Sequence, residues 1–229
     1  MTILLIETAT QICSVALARD GKIVAERHSD ERNAHSSMLA VFVDEIFKEA
    51  GKNLDGVCVS SGPGSYTGLR IGVSSAKGIA YAQGIALLSI PTLQNMAMLY
   101  YASHPDYDGL VCPMIDARRM ECYTAIFSRE KMLCDTRAEV IEEGLYDKWL
   151  DNNIVTFIGD GAEKTRPLLA SHHNARYDEL FRISAAGMMF EAERKLEAGE
   201  VEDVAYFEPF YLKDFVAKKS AVHGLYANE

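Results

Sequence analysis

Residues 60–72 read SSGPGSYTGLRIG and follow directly on the apolar run GVCVS at 56–60. An apolar run that enters a glycine-rich turn and leaves it with helical spacing is the mark of a strand–loop–helix unit. Gly62 and Gly64 are free to take positive φ, Pro63 holds its φ near −65°, and glycines let backbone N–H groups approach a ligand closely. A helix starting near Thr67 adds the positive end of its dipole. Gly62, Gly64 and Ser65 are therefore candidates for a phosphate loop, vestigial or active. A plain strand-to-helix turn is the competing reading, in which Arg70 is simply solvated. Neither common nucleotide signature is present: GxxxxGK[ST] is absent, and Tyr66-Thr67-Gly68 breaks GxGxxG.

Working outward, Ile3 to Ile6 and Ile12 to Ala18 are apolar runs, Asp20-Gly21 is a type I′ hairpin dipeptide, and Lys22 to Glu26 is the returning strand. Leu39, Phe42, Val43, Ile46 and Ala50 share one face of a helix over 36–50 that Gly51 stops. After the loop come a helix over 67–83, a strand at ALLSI (86–90) closed by Pro91, and a helix from Thr92 to Ser103. The order βββαβαβα is an α/β pattern. The polar HPDYDG (104–109) is the boundary, giving an N-terminal lobe over 1–104 and a C-terminal lobe over 105–229 whose last segment is free to return to the first.

The second half starts with LVCPMID (110–116), a turn at Asp116 to Arg119 and the strand ECYTAIFS (121–128). A helix is expected over 142–150, where Leu145 and Trp149 lie four apart. IVTFIGDGAE (154–163) reads as a strand into a glycine turn. A last helix lies in SAAGMMFEAERKLEAG, with Ser184 as N-cap and Gly199 beyond its end. Both halves open on a hairpin and proceed to α/β units, as a duplication would leave them.

The 229 residues are 48% hydrophobic and carry a net charge of −10. An acidic chain has few cations to displace counterions from a phosphodiester backbone, so nucleic acid is expected to be reached only through a partner. The five cysteines, Cys13, Cys58, Cys112, Cys122 and Cys134, form no CxxC and lie mostly in apolar runs, as buried free thiols in a reducing compartment do. No targeting pattern opens the chain and no apolar run nears the ~20 residues of a membrane span, so a cytoplasmic protein without membrane contact is expected.

Other motifs carry less. Glu7 ends the first strand, where it is either a catalytic carboxylate or a rim charge. Asp116 ends a strand in the same way beside Arg118 and Arg119, and the GDGA at 159–162 is a second glycine turn. The six histidines form no HxxxH, so no metal site is expected, and no GxSxG marks a nucleophilic serine.

Four strings, ILLIETATQICSVAL, GPGSYTGLRIG, IDARRMECY and EPFYLKDFVA, together resemble the bacterial TsaB family of threonylcarbamoyl-adenosine tRNA-modification subunits over nearly the whole chain. The resemblance implies an actin/Hsp70/sugar-kinase-like (ASKHA) fold: α/β, two lobes, each with a mixed five-stranded sheet and flanking helices. It also implies partners, namely a TsaD-like catalytic paralogue and a TsaE-like ATPase, with tRNA bound only through their complex. That complex transfers threonylcarbamoyl to the adenosine next to the anticodon of tRNAs reading ANN codons. No cofactor is implied for the chain alone, ATP entering only with the partners. The chain departs from the family in having Glu7 where Asp is usual and Lys213-Asp214 where Arg is usual. PTLQNMAMLYY lacks the metal-binding HxxxH of the paralogue.

Three functions compete. A non-catalytic subunit is favoured. An autonomous ATPase or kinase would need Glu7 with Asp116 or Asp160 aimed at Mg²⁺, and a metallopeptidase would need ligands that are missing. For the subunit, helix 67–83 carries one stripe for the sheet (Leu69, Val73, Ala76, Ala80) and a second of Ile71, Ser75, Gly78 and Ala82. Met38, Val41 and Glu45 are similarly left over on helix 36–50. The two sets together are the expected interface, for the paralogue or for a second copy in a homodimer; packing beneath the second lobe is the alternative.

Overall fold

Thr2–Glu7 forms β1, the centre of the first sheet, and its apolar Ile3 to Ile6 are fully buried because helices cover both faces. A computed structural model describes residues 1–31 and 34–213; Asp214 and His223 lie outside them. β2 (Cys13–Arg19) and β3 (Lys22–Ser29) complete an antiparallel meander with β1. At the β2–β3 turn Asp20 (φ 50°) and Gly21 (φ 72°) both take the positive φ of a type I′ hairpin. β4 (Gly56–Ser60) pairs parallel with β1, and β5 (Ala86–Ile90) parallel with β4, so the order is β3-β2-β1-β4-β5. The intervening helices are α1 (Ala34–Ala50) and α2 (Tyr66–Gln83), and α3 (Thr92–Ser103) follows β5.

The second sheet consists of β6 (Leu110–Asp116), β7 (Glu121–Phe127), β8 (Met132–Val140), β9 (Val155–Ile158) and β10 (Ala175–Asp178) in the order β8-β7-β6-β9-β10. Counted from β6, this is the same third-second-first-fourth-fifth order as in the first sheet, with antiparallel and parallel pairings in the same places. The two halves are topological duplicates, as the actin/Hsp70/sugar-kinase-like fold requires. Their connections differ. In the second lobe they shrink to α4 (Asp147–Leu150), a 3₁₀ turn at Glu163–Thr165 and α5 (Arg166–Leu169).

The expected helix over 142–150 is thus confined to α4. Gly144 takes φ 78° and Leu145 N–H closes a turn on Glu142 O, so residues 143–146 form turns, and Ile141 before them and Tyr146 at their end enter the core. β8 and β10 escaped the sequence reading. Both are edge strands, rich in charged residues and only partly buried, so neither shows an apolar run.

Each lobe is covered in part by the other half of the chain. α1 and α2 cover one face of the first sheet, with Phe42, Ile46, Val73 and Ala76 against Leu4, Ile6, Val57 and Val59. Its other face is covered by Ala185 and Met188, in a 3₁₀ turn over Ala185–Met188, and by Ala192 within the following α6 (Met189–Ala198). Conversely α3 packs Leu93, Met96 and Ala97 on Val111, Ile115 and Phe127 of the second sheet. Beyond α6 the chain follows the first lobe: Glu202 N–H donates to Leu87 O (2.8 Å) and Phe210 N–H to Ser61 O (2.7 Å). Among the described residues no helix is long and apolar enough to cross a membrane.

Candidate functional site

β4 delivers Ser60 and the glycine loop to the mouth of the cleft between the lobes, where Thr8 and Ala9 pack against the loop's glycines. Gly62 takes φ 109°. Gly64 does not use its freedom to take positive φ; its requirement is space. A Cβ on Gly64 would lie less than 3.0 Å from Ala9 O, one on Gly68 equally close to Thr8 O, and one on Gly72 to Thr8 Oγ1. Gly64, Gly68 and Gly72, four residues apart, thus form the face on which the end of β1 rests. The loop's donors are largely used as well. Gly62 N–H donates to Thr92 Oγ1 (3.1 Å) and Ser65 N–H to Ala9 O (2.6 Å). Ser65 caps α2, its Oγ accepting from Gly68 N–H at 3.2 Å. α2 starts at Tyr66; residues 8 and 9 fill the space beside the α-carbons of Gly64, Gly68 and Gly72, and the N–H groups of Gly62, Ser65 and Gly68 are bonded to Thr92, Ala9 and the capping serine.

Glu7 is neither a rim charge nor open to the cleft: it is 0% exposed. Its Oε1 accepts from Ala9 N–H (2.8 Å) and Ser60 Oγ (2.9 Å), its Oε2 from Asn95 Nδ2 (2.7 Å). Asn95 Nδ2 also donates to Ser184 O at 3.1 Å, tying β1, β4, α3 and the segment before α6 to one carboxyl. Burial dominates its titration and pushes it up to about 7, against the opposite pull of these donors.

The second glycine turn repeats the arrangement. A Cβ on Gly159 (φ 97°) would meet Met114 O, and one on Gly161 the Ile115 backbone, each at less than 3.0 Å. Asp160 Oδ1 accepts from Asp116 N–H (2.9 Å); Asp116 pairs with Lys164 and accepts from Arg118 N–H (2.8 Å). Burial pushes the Asp116 carboxyl up, but Lys164 and the Arg118 N–H outweigh it and hold it below the usual range. A cavity of about 530 Å³ separates Gly64 to Thr67 from Asp116 to Arg118 and Asp160, with Phe210 to Lys213 along one edge. Glu7 does not line it, so Glu7 and Asp116 do not converge. Among the described residues no group of three or more His, Cys, Asp or Glu is placed to hold a metal ion.

The other surface is the α1–α2 layer. Val41 is 42% exposed, and Gly78 and Ala82 are exposed, with nothing within 4 Å of a Cβ built on Gly78. Glu45 is exposed and pairs with Arg27 at 3.0 Å. Met38 and Ile71 are half-buried against the core, and Ser75 is half-buried on the same flank of α2 as Ile71. The open face of α2 is therefore centred on Ser74, Gly78 and Tyr81, the last 83% exposed. Sequence reasoning missed Ser74 and Tyr81 because only the position of α1 shows which flank of α2 stays uncovered.

The chain's likeness to known proteins bears on both surfaces. A family model described as "TsaD: tRNA N6-adenosine threonylcarbamoyltransferase" matches residues 22–221. The tRNA threonylcarbamoyladenosine biosynthesis protein TsaB of Bacillus subtilis is 32% identical over 177 residues, 76% of this chain and 72% of that protein. The Escherichia coli protein of the same name is 31% identical over 231 residues, 96% of this chain and 97% of that one. The chain belongs to the TsaB family of tRNA threonylcarbamoyladenosine biosynthesis proteins. A solved structure of YeaZ from Pseudomonas aeruginosa superimposes with a TM-score of 0.78 at 25% identity, covering 92% of this chain and 99% of that one. A second Pseudomonas aeruginosa structure, described as similar to peptidase YeaZ, gives 0.81 at 23% identity over 93% of this chain and 99% of that one, which bears on the fold alone.

Proposed function

We propose that this chain is the non-catalytic subunit of the complex that transfers threonylcarbamoyl to the adenosine next to the anticodon of tRNAs reading ANN codons. It binds and supports a TsaD-like catalytic paralogue through the exposed α1–α2 face, and a TsaE-like ATPase completes the assembly. One observation carries the reading: the glycines of the loop and of the start of α2 are packed against Thr8 and Ala9 of the same chain, and the N–H groups of Gly62, Ser65 and Gly68 are bonded within it. A loop committed to packing within its own chain leaves the fold its surfaces. Gly78 and Ala82 leave α2 low enough for another helix to approach closely, and Val41 gives the neighbouring helix an apolar contact. ATP is handled by the partners, and tRNA is held by the complex.

The test is co-purification with the paralogue, then Val41→Glu and Gly78→Trp. Both positions are exposed, so both variants should fold and melt as the parent does. A buried unpaired charge or a clash at the interface should weaken association by about 3 kcal/mol or more, over a hundredfold. Undiminished association by both folded variants would place the interface elsewhere. Loss of self-association alone, with the paralogue still bound, would assign the face to a homodimer. ATP hydrolysis by the pure chain that disappears in Glu7→Ala would favour the kinase reading instead.

A further inference from the structure

At the turn between β6 and β7 two arginines stand in succession in the left-handed region, Arg118 at φ 73° and Arg119 at φ 52°. This conformation is uncommon for residues with long side chains. The turn is closed by Ala117 N–H to Glu121 O (3.0 Å) and Glu121 N–H to Arg118 O (3.1 Å), and Asp116 Oδ1 holds the Arg118 N–H. Both arginines are exposed, and among the described residues neither guanidinium has a hydrogen-bond or ion-pair partner. Every other arginine among the described residues has one, to a carboxylate, a carbonyl or a tyrosine hydroxyl. Carboxylates are not lacking nearby. The two that flank the turn are taken, Asp116 by Lys164 and Glu121 by Lys213, so the arginines are surplus positive charge on a chain of net −10.

We propose that Arg118 and Arg119 form a contact point for phosphodiester groups of the tRNA carried by the complex, an inference that rests on the function proposed above. An arginine fork matches two phosphate oxygens, and its charge persists at every physiological pH. The acidic remainder of the chain repels a polyanion, which confines the contact to this turn rather than spreading it over a face. The turn lies at the rim of the cleft: Arg118 lines the cavity opposite Ser65 to Thr67 and, with Asp116, borders a second pocket lined by His35 and Ser36 of α1 and Ile71 of α2.

The experiment replaces both with asparagine (Arg118→Asn, Arg119→Asn), which tolerates left-handed backbone and keeps the turn, with the double lysine variant as a charge-retaining control. Binding of a tRNA transcript to the reconstituted complex is measured across salt concentration, and assembly by light scattering. The expected result is intact assembly, weaker tRNA binding, a log K against log salt slope shallower by about 2, and recovery of that slope in the lysine variant. An unchanged slope overturns the proposal. Lost assembly with unchanged tRNA binding overturns it too, and assigns the turn to an acidic protein surface. Should the parent chain fail to join the paralogue, the functional reading fails first. Retention of the same transcript by the chain alone at low salt then decides: equal retention by parent and asparagine variant defeats the arginine contact.

Discussion

Glu7 accepts three hydrogen bonds and has no ion-pair partner among the described residues, and burial decides its titration. Its carboxyl, ordinarily at 4.5, moves to about 7 in the fold. Below the ordinary value it is protonated both folded and unfolded, and the stability it permits is fully present. As pH rises towards 7 the unfolded chain releases the proton while the folded chain keeps it, and stability falls, by roughly 3 kcal/mol once the folded carboxyl ionises. Denaturant unfolding at pH 5 and pH 8 should therefore show Glu7→Gln gaining on the parent at the higher pH, and parallel profiles would contradict this origin of the shift. From the sequence, Glu7 was legible as a carboxylate at the end of a strand. Its burial was not, because the atoms that enclose it come from Ser60, Asn95 and Ser184, far along the chain.

Within α2, glycines of one residue type have opposite roles. A Cβ on Gly68 has backbone oxygen less than 3.0 Å away, whereas one on Gly78 has nothing within 4 Å. Gly68→Ala should destabilise by about 1–3 kcal/mol through overpacking against Thr8. Gly78→Ala should stabilise by roughly 0.5–1 kcal/mol, the ordinary cost of glycine in a helix interior. Chemical denaturation of the two variants checks both signs, and equal effects would mean that the contact with Thr8 is not what demands glycine. The elements of the first lobe were readable almost to their ends: β4, β5 and α3 have the expected bounds, and α2 starts one residue early at Tyr66. Each is bounded by glycine, proline or a capping serine and has a strong apolar period. In the second lobe β8 places Asp135, Arg137 and Glu139 on alternate positions of an edge, which hides the strand from any search for apolar runs.

The two halves exchange their covers, α3 going to the second sheet and the 185–198 segment to the first. The lobes should therefore unfold together. Met188 is 0% exposed in the first-sheet core, while Trp149, the single tryptophan, packs in the second lobe. Met188→Ala should cost about 2–5 kcal/mol. The tryptophan fluorescence transition should move with the circular dichroism transition to the same new midpoint. A shift of one signal without the other would show that the lobes melt independently.

The sequence by itself determined the α/β class, the glycine loop as a strand-to-helix joint, the two-part organisation and the family. These rest on local periodicity, on turn residues and on strings of residues met in order. Only the tertiary structure decided what the glycines make room for, which flank of α2 remains open, that Glu7 is sealed from the cleft and that Arg118 and Arg119 lack partners among the described residues. Each of these depends on which distant segment occupies the space beside a residue. That occupancy is set by how the two sheets and their exchanged helices pack, and it leaves no periodic trace along the chain.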